Sequence, residues 1–134
     1  MSQTLAERAA KQRADRAANG NAHTLKYERT KGGKLMRLYR NMRSRIEGVQ
    51  KAKWHLYRGK CLLGRDEFYV WALGGHGFHI LFRDWVESGY QRKFAPSVDR
   101  IDSSQGYHPD NMEWVTHSEN SRRGSIARRE KKAA

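Results

Sequence analysis

The 134-residue chain has a single cysteine, Cys61, which excludes an intrachain disulfide and any zinc knuckle built from paired cysteines. Cys61 is expected to be a small buried apolar residue. No apolar run approaches the roughly 20 residues needed to cross a bilayer. The N-terminus is charged and Ala-rich where a signal peptide would carry a hydrophobic stretch, so a cytoplasmic protein without a membrane partner is expected. Gly-rich phosphate loops and internal repeats are absent, which removes P-loop chemistry and solenoid architectures. Acidic residues are scarce as well: 14 Asp and Glu face 27 Lys and Arg, a formal charge of +13. Such an excess opposes compaction, and a polyanion neutralises it most simply, with nucleic acid the first candidate.

The charge is unevenly spread. Residues 1–53 carry 14 Lys and Arg against 4 acids, residues 54–97 carry 6 against 4, and residues 98–134 carry 7 against 6. In the last stretch the acids cluster between Asp99 and Glu119 and the bases between Arg122 and Lys132, so an acidic group is held inside a basic surround.

The pattern along the chain predicts an α+β protein with a mostly helical N-terminal part. Residues 1–33 read as a basic flexible arm and linker: an Ala/Arg-rich stretch of high helix propensity with little to bury, stopped at Asn19-Gly20-Asn21 and followed by Lys31-Gly32-Gly33. Residues 34–96 read as a helical core and nucleic-acid-binding region. Leu35, Leu38, Tyr39, Met42 and Ile46 recur at helical spacing, with Arg37, Arg40, Arg43 and Arg45 mostly on the remaining surface, where phosphates or solvent would meet them. Trp54 to Tyr57 reads as a short strand or extended piece. One helix is expected from Asp66-Glu67 to Gly74-Gly75 and another from Phe78 to Ser88-Gly89. Their aromatics should form most of the core, and His76 and His79 are poorly spaced for a metal.

Residues 97–127 carry the chemistry, with a basic tail at 128–134. Ser97 to Ile101 has the composition of a strand, Ser103 to Pro109 is dense in turn formers, and Met112 to Thr116 alternates like a second strand. Thr116 or Ser118 is placed to cap a following helix through Glu119, Asn120 and the pair Arg122 and Arg123. The expected unit is a hairpin followed by a helix.

This segment, with Asp99-Arg100-Ile101-Asp102, then Gly106-Tyr107 and Pro109 leading to Asn111, then Trp114, Thr116, Glu119 and Asn120, resembles the HNH homing-type endonucleases of phages. In that ββα-metal, or His-Me finger, family a strand carboxylate and an Asn or His on the helix hold one divalent metal. The resemblance implies that Asp99 and Asn120 are metal ligands for Mg²⁺ or Mn²⁺, and that Asn111, 12 residues after Asp99 and 9 before Asn120, steadies the catalytic strand. It further implies DNA phosphodiester hydrolysis, by nicking or cleavage, in the cytoplasm of the host if the chain is phage-encoded. Arg122 and Arg123 are expected to contact phosphate.

One position departs from the family. The residue after the strand Asp is usually the His that activates water, and here it is Arg100, which stays protonated. Arg100 is expected to clamp phosphate, with the proton taken by His117, His108, Asp102 or a metal-bound hydroxide, His117 being preferred. The alternative is an inactive HNH-scaffold protein that binds DNA or RNA. One site in a chain of this size suits nicking by a monomer or double-strand cutting by a homodimer.

Overall fold

The computed structural model describes residues 3–18 and 22–133, which divide into two compact units, Met1–Lys34 and Leu35–Ala134. Its class is α+β: helices with one two-stranded antiparallel sheet. No helix among the described residues is long and apolar enough to cross a membrane.

The first unit is more ordered than its composition suggests. Helix α1 spans Leu5–Ala18. Its start is a reciprocal capping box, in which the Glu7 N–H donates to Thr4 Oγ1 at 3.1 Å and the Thr4 N–H donates to Glu7 Oε2 at 3.2 Å. The expected stop at Asn19-Gly20-Asn21 lies outside the described residues. The stretch read as a linker instead holds α2, Ala22–Glu28, and the first turn of α3, Lys31–Glu47. Thr30 caps that turn, accepting from the Gly33 N–H at 3.1 Å while its own hydroxyl donates to the Tyr27 carbonyl at 2.7 Å. Gly33 is there for closeness: a Cβ would lie 2.0 Å from the Tyr27 oxygen.

In the second unit the apolar stripe of α3 meets a core of aromatic and aliphatic residues. Leu35 and Met42 are buried, and Leu38, Tyr39 and Ile46 pack beside them. Helix α4, Arg65–Gly74, brings Phe68 and Ala72, and α5, Gly77–Glu87, brings Phe78. Asp66 and Glu67 occupy the first turn of α4, where carboxylates complement the helix dipole. The expected strand near Trp54 is a 3₁₀ turn, Lys51–Leu56. With no strand beside it in the sheet, its backbone closes local bonds, the Tyr57 N–H reaching the Trp54 carbonyl at 2.9 Å.

Strand β1, Pro96–Arg100, pairs antiparallel with β2, Met112–Thr116, setting Val98 opposite Trp114 and Asp99 opposite Glu113. Alternation gives the hairpin two faces. Val98 and Met112 enter the core, and Trp114 stacks on Trp71 with ring centroids 5.3 Å apart and meets Phe78 at 4.9 Å. Trp114 thereby fixes the hairpin on α4 and α5. Helix α6, His117–Ala133, follows β2 without a break, capped by Thr116 Oγ1, which accepts from the Glu119 N–H at 3.1 Å. The expected C-terminal tail is thus helical through Ala133.

The long connection between the strands is clasped from outside. Tyr107 N–H donates to the Cys61 carbonyl and Leu63 N–H to the Tyr107 carbonyl, both at 2.9 Å. Lys60 Nζ also donates to the Ser103 carbonyl at 2.8 Å. Cys61 is exposed, contrary to expectation; the fold uses its backbone rather than its thiol. Gly106 makes this approach feasible, since a Cβ there would lie 2.2 Å from the Cys61 oxygen and 2.5 Å from its nitrogen. Gly106→Ala should therefore cost about 2 kcal/mol or more in urea unfolding, as overpacking against backbone does. Gly74→Ala, whose Cβ meets nothing within 4 Å, should stay within about 0.5 kcal/mol of wild type. Equal stability of the two variants would contradict the clasp.

Candidate functional site

The outer face of the hairpin, opposite the core, carries Ser97 and Asp99 from β1 and Glu113 and Val115 from β2. The first two turns of α6 lie along it. Asn120 Nδ2 donates to Ser97 Oγ at 3.1 Å, and one turn later Arg123 Nη1 donates to Asp99 Oδ2 at 3.0 Å. Because Ser97 and Asp99 are neighbours on one strand face and Asn120 and Arg123 neighbours on one helix face, Asp99 and Asn120 share a single patch. With its nitrogen spent on Ser97, Asn120 keeps its carbonyl oxygen for another partner.

Arg123 ties this patch together. Besides Asp99 it bonds Glu113 Oε1, and its Nε donates to Glu119 Oε1 at 2.9 Å. Arg122 takes Glu119 in a two-pronged grip, Nε to Oε2 at 2.8 Å and Nη2 to Oε1 at 2.7 Å. The hydrogen bonds from Arg122 and then Arg123 hold the Glu119 carboxyl down to about 2. The same three carboxylates raise the Arg123 guanidinium above its ordinary value, Glu113 first.

Asn111 does the work of a staple. It is 3 % exposed, and both ends of its carboxamide are used. Oδ1 accepts from the Asp102 N–H at 2.8 Å, and Nδ2 donates to the carbonyls of Gly106 at 2.7 Å and Asp102 at 3.0 Å. Its own carbonyl accepts from the Ile101 N–H at 2.9 Å. Asp102 turns the chain beside it, accepting from the Ser104 hydroxyl at 2.6 Å and backbone at 2.9 Å, contacts that lower its carboxyl below the usual range.

Other candidates stand apart from the patch. Arg100 follows Asp99 on the strand and so faces the opposite side. Its guanidinium lies 4.3 Å from the Tyr57 ring centroid and 5.6 Å from that of Tyr107, and Nη1 donates to the carbonyls of Ser103 and Gln105 at 3.0 and 3.1 Å. It braces the loop. His117, at the start of α6, donates its N–H to the Ala95 carbonyl at 2.9 Å, at the end of β1 remote from Asp99, which lies four residues further along the strand, about 13 Å. His108 pairs with Gln105 at 3.1 Å within the loop. On α3, Arg37 and Arg40 are exposed, Arg43 is paired to Glu47 at 2.8 Å, and Arg45 donates to the Tyr107 hydroxyl at 3.2 Å. Burial pushes that phenol up.

Two carboxylates, Glu113 and Glu119, belong to the patch although the sequence pattern did not single them out as site residues. Signals for both were present: Glu113 alternates outward beside Trp114, and Glu119 lies three and four residues before the two arginines. Among the described residues, no three His, Cys, Asp or Glu side chains are gathered to hold a metal ion. The oxygen donors of Asp99 and Asn120 nonetheless suit a hard divalent cation. Arg123 is the cation now bonded to Asp99. The chain matches no family model, no curated protein and no solved structure.

Removing the staple should open the loop. Asn111→Ala strands the Asp102 N–H and the Gly106 and Asp102 carbonyls, at about 1–3 kcal/mol for a buried unsatisfied group. A destabilisation of about 3 kcal/mol is expected, with fast hydrogen exchange at the Asp102 amide. Wild-type protection of that amide in the variant would show the loop held by other means.

Proposed function

We propose that the protein is a metal-dependent endonuclease of the HNH type that hydrolyses DNA phosphodiester bonds. The observation that carries this reading is the shared patch: Asp99 on β1 and Asn120 on α6 lie on one face, beside Arg122 and Arg123, while buried Asn111 pins the loop behind them. Mg²⁺ or Mn²⁺ held by the Asp99 carboxylate and the Asn120 carbonyl would stabilise the charge that develops on the phosphate. Every other role falls to the chain itself. Arg122 lies at the rim of the patch to meet phosphate oxygens, and the basic residues of α3 from Arg37 onward and of the second half of α6 supply the field that attracts the backbone.

Glu113, directly opposite Asp99, is better placed than His117 to take the proton of the attacking water. The water oxygen forms the new bond to phosphorus, its proton passes to Glu113, and the bond to one sugar oxygen breaks. That leaving oxygen is protonated from solvent.

A second reading, a nucleic-acid-binding protein on the same scaffold without catalysis, is favoured by one observation. The arginine that follows Asp99 in the sequence and the one that touches it are both engaged, Arg100 in the loop and Arg123 on the carboxylate itself. Supercoiled plasmid separates the readings. With Mg²⁺ or Mn²⁺, wild type should nick it, and Asp99→Ala and Asn120→Ala should each lower the rate at least about 100-fold, the scale of a missing charge-stabilising group. Wild-type binding without nicking would favour the binder, and nicking that survives in both variants would remove this site.

Affinity should be separable from chemistry. Replacing Arg37 and Arg40 together with Gln should reduce the slope of log affinity against log salt by about 1–2, one for each phosphate that the helix no longer neutralises. An unchanged slope would move the binding face away from α3. Competition of labelled DNA by structured RNA at fixed salt tests which polyanion is preferred.

A further inference from the structure

We propose that the Arg123 guanidinium and a divalent cation are alternative occupants of Asp99, so that Arg123 latches the patch and leaves it when a nucleic-acid phosphate arrives. This inference rests on reading the patch as the metal site. It begins with the register, which sets Asp99 directly opposite Glu113 and so faces two carboxylates across the strands. Like charges in that position repel, and a cation between them relieves the repulsion. Arg123 fills that role, reaching both of them and Glu119 as well.

The latch is built to release. The Arg123 side chain is 39 % exposed and that of Asp99 25 %, so solvent screens the pair and each contact is individually weak. Arg123 cannot be released by deprotonation, because a guanidinium keeps its charge. It needs a competing anion, and a phosphodiester takes a guanidinium through the same paired geometry as a carboxylate. Once Arg123 has moved to phosphate, Asp99 and Glu113 face each other uncompensated and attract a second cation. Metal uptake is thereby coupled to the presence of substrate. Arg122 provides the internal control, since it carries the same charge one residue away but is bonded to Glu119 and not to Asp99.

Mn²⁺ titration of the full-length chain, followed by the electron paramagnetic resonance of the free ion, tests the proposal. Arg123→Gln should bind Mn²⁺ roughly tenfold or more tightly than wild type, the effect of removing one charge at contact distance in a partly screened site. Arg122→Gln should change affinity less than about threefold, as a more distant charge does. Equal affinity of Arg123→Gln and wild type overturns the latch. So does an equal gain in both variants, which would report only the general field. Should Arg123→Gln be unfolded, refolding on addition of Mn²⁺ supports the proposal; if it stays unfolded, Arg123→Lys decides, with tighter Mn²⁺ binding than wild type in support and unchanged binding against. Nicking is scored separately. Wild-type nicking that needs Asp99, with Mn²⁺ affinity unmoved by Arg123→Gln, removes the latch alone. Tighter binding by Arg123→Gln with no nicking by any form removes the nuclease reading and keeps the latch.

Discussion

The hairpin depends on one buried carboxamide. Asn111 bonds Asp102 and Gly106 with its side chain and Ile101 with its backbone, closing the long connection between two strands of only five residues each. Two-stranded ribbons are marginal in water by themselves. Here the loop is knitted from inside by Asn111 and clasped from outside by Lys60, Cys61 and Tyr107, and Trp114 wedges the strands onto α4 and α5. The register that results decides which side chains meet, so the placement of Asp99 follows from a residue that does not touch it.

The outer face then presents an electrostatic problem. A chain of net charge +13 gathers three carboxylates where β1, β2 and α6 meet, and answers them with Arg122 and Arg123 from the same helix. These contacts are partly open to water, so their worth lies in orientation more than in stability. They hold Asp99, Glu113 and Glu119 around the Arg123 guanidinium, with Arg122 beside it on Glu119. Arg100 plays the opposite part, spent on Tyr57 and the loop carbonyls.

Much of this was legible in the sequence because it depends on periodicity and turn chemistry. The stripe of Leu35, Leu38, Tyr39, Met42 and Ile46, the two helices ending at paired glycines or Ser-Gly, and the strands on either side of a turn-rich stretch all lie where those signals put them. What escaped was set by contacts between distant segments. Gly33 and Gly106 look like flexible joints but are close approaches to other backbone, and Cys61 is exposed because only its peptide group is used. Helix α1 depends on a Thr4–Glu7 box that composition alone obscures. The candidate site was half legible: the order of Asp99, Asn111 and Asn120 and the outward alternation of Glu113 were visible, whereas the pairing of Glu113 with Asp99 required the register, and the separation of His117 from Asp99 required the direction of α6.

Phosphate and divalent metal are proposed to meet at the patch of Asp99 and Asn120, with Arg123 yielding its place. Crystals of the full-length chain with a short DNA duplex and Mn²⁺, measured for anomalous scattering, test this most directly. The expected result is a manganese peak roughly 2 Å from oxygens of both Asp99 and Asn120, with Arg123 turned onto a phosphate. Arg123 still bonded to Asp99 in a DNA-bound chain, with no manganese beside it, would contradict it.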